Sequence, residues 1–187
     1  MAEIGYTTFE TAIGTCVIAW RSAGIMAVRL PAASRDALAA DVIRRHPGAL
    51  RSDPPDDVQA AIAAMQALLT GAKVDLSQIK LDLVAVPNFH ARVYRATLAI
   101  MPGETKTYGA LAAELGQPGA ARAVGQALGA NPVPIIVPCH RVLAANRRTG
   151  GFSALGGVDT KLRMLEIEGA LADPAELPLQ APPPKRR

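Results

Sequence analysis

Residues 132–142 read PVPIIVPCHRV. An apolar run, Ile135-Ile136-Val137, meets Pro138, and cysteine, histidine and arginine then stand side by side. In a straight strand successive side chains point to opposite faces, so Cys139 and His140 would diverge. Pro138 breaks extended geometry and removes a backbone donor. The pattern therefore calls for a bend, or for a water that bridges imidazole and sulfur. Cysteine reacts as the thiolate, and a free pKa of about 8.5 leaves little of it at neutral pH. A neighbouring base or cation corrects that, and His140 and Arg141 are both candidates. The plainer alternative, a small buried thiol beside a histidine satisfied by a carbonyl, weighs equally on these residues alone. Glu168 lies four residues after Met164 and three after Leu165, on one face of the last helical pattern. A partly buried carboxylate needs a partner, and an imidazole held in one tautomer is one. A solvated glutamate at a helix end fits that pattern equally well.

The rest of the chain sets bounds. Its 187 residues suffice for one domain or two small ones. Apolar residues make up 50% but aromatics only 4%, so alanine and small aliphatics must build the core. No apolar stretch reaches the roughly 18 residues of a membrane span. The start, MAEIGYTTFE, lacks the basic and apolar segments of a secretory signal, and a cytoplasmic location is expected. Cys16 and Cys139 are expected to stay reduced. There is no CxxC, and His46, His90 and His140 are scattered, so no metal site is expected. A net charge of +4 is compatible with a nucleic-acid partner without requiring one.

Two halves are visible. In the first, residues 11–20 and 25–30 are strand-like runs separated by the turn RSAG. Helical patterns follow at 34–46, with Ser34 as N-cap, and at 55–71, opened by a proline and two aspartates and closed by Gly71. Residues 79–86, IKLDLVAV, alternate and read as a further strand. Nothing in this half points to chemistry. In the second half, helical patterns cover 88–103, ended by Pro102-Gly103, and 107–116, capped by Thr107. Another covers 117–132 with Pro118 in the first turn, and a last one covers 159–170. The segment 141–157 starts extended and becomes a glycine-rich loop. The tail 171–187, proline-rich with a basic end, reads as disordered.

Segments 107–116 and 118–130 form two helices around a three-residue break, a spacing that suits a helix-turn-helix. The second helix is almost all alanine and glycine, with Arg122 as its only charge. Such a smooth helix can lie close to a narrow groove and insert one cation. Close packing against another helix explains the same small residues, and is favoured on these residues alone.

In combination, NPVP, PCHRV, the upstream RAVGQAL, the glycine-rich loop and the closing EG resemble the alkylguanine-DNA alkyltransferases, or methylated-DNA–protein-cysteine methyltransferases. The resemblance is strong over 89–169 and weaker over 8–30. It implies an α/β N-terminal module, 1–86, with a ribonuclease-H-like small sheet. It implies a mostly helical C-terminal domain, 87–170, with a winged-helix-like helix-turn-helix that takes the minor groove of double-stranded DNA. The implied activity is DNA repair by a monomer: irreversible, single-turnover transfer of an alkyl group from O6-alkylguanine, with nucleotide flipping. By the same resemblance Cys139 is the acceptor, His140 a base acting through water, Glu168 the carboxylate that polarises it, and Asn131 a brace of the turn. Tyr108 helps rotate the nucleotide and donates to the base, Arg122 fills the vacated stack, and the Val142 backbone contacts the base. Arg141 joins the DNA-binding set. No cofactor is implied, since the lesion supplies the group transferred.

The loop 150–157 is about two residues longer than the family's familiar form, which leaves Ser153 and Leu155 as candidates for the donor to the guanine oxygen. Some members bind zinc in the N-terminal half; Cys16 and His46 have no partners for that here. Other relatives carry tryptophan at the acceptor position and bind lesions without chemistry. That damage-binding role, and more remotely a cysteine hydrolase, are the competing readings.

Overall fold

A computed structural model of the protein describes residues 3–145 and 157–170. Three antiparallel strands open the chain: β1 (Gly5–Thr11), β2 (Gly14–Arg21) and β3 (Gly24–Arg29). After the helix α1 (Arg35–Arg45), a short β4 (Leu50–Arg51) lies parallel to β1, giving the order β3-β2-β1-β4. Strand β2 is covered on both faces. Val17 and Ala19 meet Leu38 and Val42 of α1, while Cys16, Ile18 and Trp20 join the core of α2 (Asp56–Leu68). That two-sided burial is why β2 reads as a continuous apolar run.

Strand β1 has no counterpart among the expected strands, because GYTTFET buries only part of its length. In the opposite sense, 79–86 does not form a strand. Leu81 makes a single bridge to Ile25, flanked by Ile25 N–H to Lys80 O at 2.9 Å and Asp82 N–H to Ile25 O at 2.8 Å. Asp82 then pairs with Arg21 and the chain turns away, leaving Val84 exposed. Gly24 permits the approach, since a Cβ there would lie 2.7 Å from the Lys80 carbonyl oxygen.

The second half carries α3 (Asn88–Leu98), β5 (Lys106–Thr107), α4 (Tyr108–Glu114), α5 (Ala121–Gly129), β6 (Val142–Leu143) and α6 (Gly157–Ile167). Helix α3 stops short of Pro102, whose ring and missing donor disfavour helix in the residues before it. Ser34 and Thr107 cap α1 and α4 as expected, accepting from Ala37 N–H at 3.1 Å and Ala110 N–H at 3.0 Å. Pro118, however, lies outside α5. Gly119 takes φ +96°, so the helix cannot begin before it, and the break between α4 and α5 spans 115–120.

A single buried cluster joins the halves: Ile18, Val28 and Met65 pack with Tyr94, Leu111, Val124, Ile135 and Cys139. The chain thus combines a mixed sheet with six helices among the described residues. None of those helices is long and apolar enough to cross a membrane. The tail 171–187 and the loop residues 146–156 lie outside the described residues.

Candidate active site

The run Ile135-Ile136-Val137 is not a strand but the buried floor of a tight turn. Ile135 holds φ +75°, a left-handed conformation that a β-branched residue adopts only when its surroundings impose it. Burial imposes it here, since Ile135 is fully buried. Asn131 clamps the turn from both sides: Nδ2 donates to Val137 O at 2.9 Å and Oδ1 accepts from Val133 N–H at 3.0 Å. Cys139–Arg141 then form one 3-10 turn, closed by Arg141 N–H to Pro138 O at 2.9 Å. Three residues complete such a turn, so successive side chains diverge by about 120°. Cys139 lines a cavity, while His140 and Arg141 both reach Glu168.

Glu168 follows α6 directly and is 5% exposed. It accepts from His140 Nε2 at 2.8 Å and from Arg141 Nε and Nη2 at 2.7 and 2.9 Å. Burial alone would raise its pKa; the bonds from His140 and Arg141 override that and hold it at about 2. The carboxylate is therefore an acceptor only, which assigns the proton of neutral His140 to Nε2. Burial pushes the His140 pKa down, against the pull of Glu168, so the resting ring is neutral. Its Nδ1 is buried without a partner among the described residues and has a lone pair to accept a proton.

Arg141 is where the expectation of a DNA contact fails. Its guanidinium is buried, bonded to Glu168 and to the Ile100 carbonyl, and has become part of the interior. The adjacency of histidine and arginine in the sequence thus reflects two donors for one carboxylate.

Two further groups condition the thiol. Burial pushes the Cys139 thiol up; a hydrogen bond from Asn131 and the charge of Lys161 pull it back. Lys161, on α6, is a fully buried cation that sequence reasoning missed. Its Nζ donates to Val142 O at 2.6 Å and lies 5.8 Å from the Tyr108 ring centre. Burial pushes its pKa down to about 8. Its only sequence signal was a position three residues before Met164 on the buried face of α6. Cys16, by contrast, sits in the core with its thiol pushed up to about 12, chiefly by burial.

A parallel pairing assembles these parts. β5 beside β6 sets Lys106 against Val142 and Thr107 against Leu143, so Tyr108, at the start of α4, faces the segment after Cys139. Cys139, Tyr108, Asn131, Lys161 and Gly125 of α5 line one cavity of about 570 Å³, within the range of ligand pockets. Arg122 lies on the exposed side of α5 and has no ion pair among the described residues. Ser153 and Leu155 lie outside the described residues. No group of three or more histidine, cysteine or acidic side chains is placed to hold a metal among the described residues.

Residues 88–170 match the family model for the DNA-binding domain of 6-O-methylguanine DNA methyltransferase. The methylated-DNA–protein-cysteine methyltransferase of Mycobacterium tuberculosis is 42% identical over 125 residues, 67% of this chain and 73% of that one. The chain belongs to the methylated-DNA–protein-cysteine methyltransferase family. A crystal structure of O6-methylguanine methyltransferase from Mycobacterium tuberculosis, 34% identical, superimposes with a TM-score of 0.71 over 91% of this chain and 96% of that one. The Mycobacterium tuberculosis protein in complex with DNA, 32% identical, gives 0.66 over 93% and 95%. Cys139, His140 and Glu168 of this methyltransferase-family chain all fall within the matched segment.

Proposed function

We propose that the protein repairs alkylated DNA by moving the alkyl group of O6-alkylguanine onto its own Cys139, once. The observation that carries this reading is the relay behind a buried thiol: Glu168 fixes Nε2–H of a neutral His140, and Nδ1 has no partner among the described residues. Through a water, Nδ1 takes the Cys139 proton. The sulfur then attacks the alkyl carbon, an S–C bond forms as the C–O6 bond breaks, and the electron pair stays on the guanine oxygen. Return of the proton leaves guanine neutral. The thioether is stable and no group lining the cavity among the described residues is suited to cleave it, so each molecule acts once. The lesion supplies the alkyl group, and the step needs no cofactor.

The target atom lies inside a duplex, and extruding its nucleotide costs a few kcal/mol. Arg122, exposed on α5, fills the vacated place from the minor groove and offsets part of that cost. Tyr108 helps rotate the nucleotide and donates to the base as charge develops, while Asn131 holds the turn that presents the thiol. Val142 offers its backbone to the base, and the loop bearing Ser153 and Leu155 closes over the guanine oxygen. On this reading residues 1–86 form a ribonuclease-H-like support and residues 87–170 the acceptor domain, with α4 and α5 as a winged-helix-like reader. Residues 171–187 form a disordered tail. The protein works as a cytoplasmic monomer.

Intact mass tests the reading. After incubation with a duplex containing O6-methylguanine, one methyl group should appear on Cys139 and none in Cys139→Ala. Tight lesion binding without mass gain would replace transfer with damage sensing. Catalytic turnover of an ester or amide would indicate a hydrolase instead.

A further inference from the structure

The cavity that holds Cys139 is not walled by the second half alone. Leu30, Leu38, Asp41, Arg44 and Arg45, from the end of β3 and from α1, line it across from α5. Three guanidiniums converge there on one carboxylate. Arg29 Nε lies 3.1 Å and Arg45 Nε 3.0 Å from Asp41 Oδ2, and Arg44 pairs with Oδ1. Three cations against one anion leave a surplus of two positive charges on that wall. Asp41 and Arg29 are each 21% exposed, whereas Arg44 and Arg45 are 68% and 57% exposed. The cluster is thus anchored at its base and open at its tips.

The base is tied to the acceptor turn. Arg29 Nη1 donates to Pro132 O at 2.9 Å, and Val28 N–H donates to the same carbonyl at 2.9 Å. Pro132 follows Asn131, the clamp of the turn. Cations at the end of α1 also suit its helix dipole, and that accounts for Arg44 and Arg45 beside Asp41. It does not account for Arg29 arriving from β3, or for the surplus standing on the wall of the acceptor cavity. Duplex DNA is the partner whose charge matches: its phosphates form a dense anionic track beside any groove that a helix enters.

We infer that the Arg29–Arg44–Arg45 cluster binds the phosphate backbone of the duplex, so that the N-terminal half grips DNA across the cavity from α5. Arg44 and Arg45 supply the contacts and Arg29 fixes them relative to Cys139. This rests on the alkyl-transfer reading for the identity of the partner, and is therefore tested on an unmodified duplex, where no transfer occurs. Fluorescence anisotropy titrations between 50 and 200 mM salt, roughly the range over which phosphate contacts register, read the slope of log Kd against log salt. The Arg44→Gln/Arg45→Gln protein should show a slope shallower by about 1 to 2 and affinity weaker by about tenfold at the lowest salt. Arg44→Lys/Arg45→Lys should keep most of the slope, because lysine still neutralises phosphate. An unchanged slope in the glutamine protein overturns the inference. So does an equal change in Lys73→Gln/Lys80→Gln, which removes the same charge away from the cavity and would reduce the effect to bulk charge. Failure of the transfer reading would appear separately, as no mass gain on Cys139.

Discussion

Replacing Glu168 with glutamine removes one charge from a buried set of three groups. At pH 7 the carboxylate accepts from His140 and twice from Arg141, at 2.7 to 2.9 Å. These bonds hold its pKa at about 2, against an ordinary 4.5. Each tenfold in that difference corresponds to about 1.4 kcal/mol, so the ionised carboxylate contributes about 3 kcal/mol to folding at neutral pH. Breaking a buried ion pair by removing one partner costs about 3–5 kcal/mol, which agrees. The glutamine protein should therefore unfold in urea with a stability about 3 kcal/mol lower at pH 7. The contribution has a sign that can be followed. A depressed carboxylate stabilises fully above its unfolded pKa of about 4.5, and the contribution is lost as pH falls toward about 2. The gap between the two proteins should accordingly narrow over that window. Chemistry gives a second reading. Glutamine can donate as well as accept, so Nε2–H of His140 is no longer enforced, and a positioned base is worth about 100-fold or more in rate. Thiol alkylation of Cys139 should slow at neutral pH and its profile move to higher pH. A loss below about 1 kcal/mol with an unaltered alkylation profile would refute the relay.

Lys161→Met should raise the Cys139 pKa, seen as a shift of the alkylation profile to higher pH. The wild-type protein should also gain stability as pH rises from about 8 to 10.5, where the buried ammonium is neutral in the fold but still charged when unfolded; the methionine protein should lack that gain. Asn131→Ala orphans the buried Val133 N–H, at about 1–3 kcal/mol, and leaves Val137 O with Cys139 N–H alone as donor; it should lower the urea midpoint while slowing Cys139 alkylation. No change in either measurement would remove Asn131 from the clamp. Arg122→Ala should weaken repair of duplex DNA at least about tenfold more than reaction with the free modified base, matching the few kcal/mol of nucleotide extrusion. Equal losses on both substrates would refute stack filling.

Much of the fold was legible because its signals are local. Thr107 and Ser34 cap helices through their own hydroxyls, each three residues from the amide it serves. Val17, Ala19 and their neighbours announce a strand buried on both faces. The errors came where a local pattern was outweighed by something distant. The alternation of 79–86 is real, but only Leu81 meets β3 before Asp82 is drawn to Arg21. Pro118 carries a helix-start signal that the positive φ of Gly119 cancels.

The same division runs through the site. The sequence alone determined that a nucleophile, an imidazole and a guanidinium would be neighbours after a proline, and offered Glu168, spaced with Met164 and Leu165, as either a partner for the imidazole or a solvated helix end, because adjacency and helical spacing are properties of the chain itself. Only the tertiary structure decided which of them meet. The 3-10 turn aims Cys139 at the cavity and sends His140 and Arg141 to Glu168, so a cation expected at DNA is spent inside the protein. The β5–β6 pairing brings Tyr108 to the thiol across more than thirty residues, and the packing of α6 buries Lys161 beside both. Burial and long-range pairing set these positions, and neither is written in the order of nearby residues.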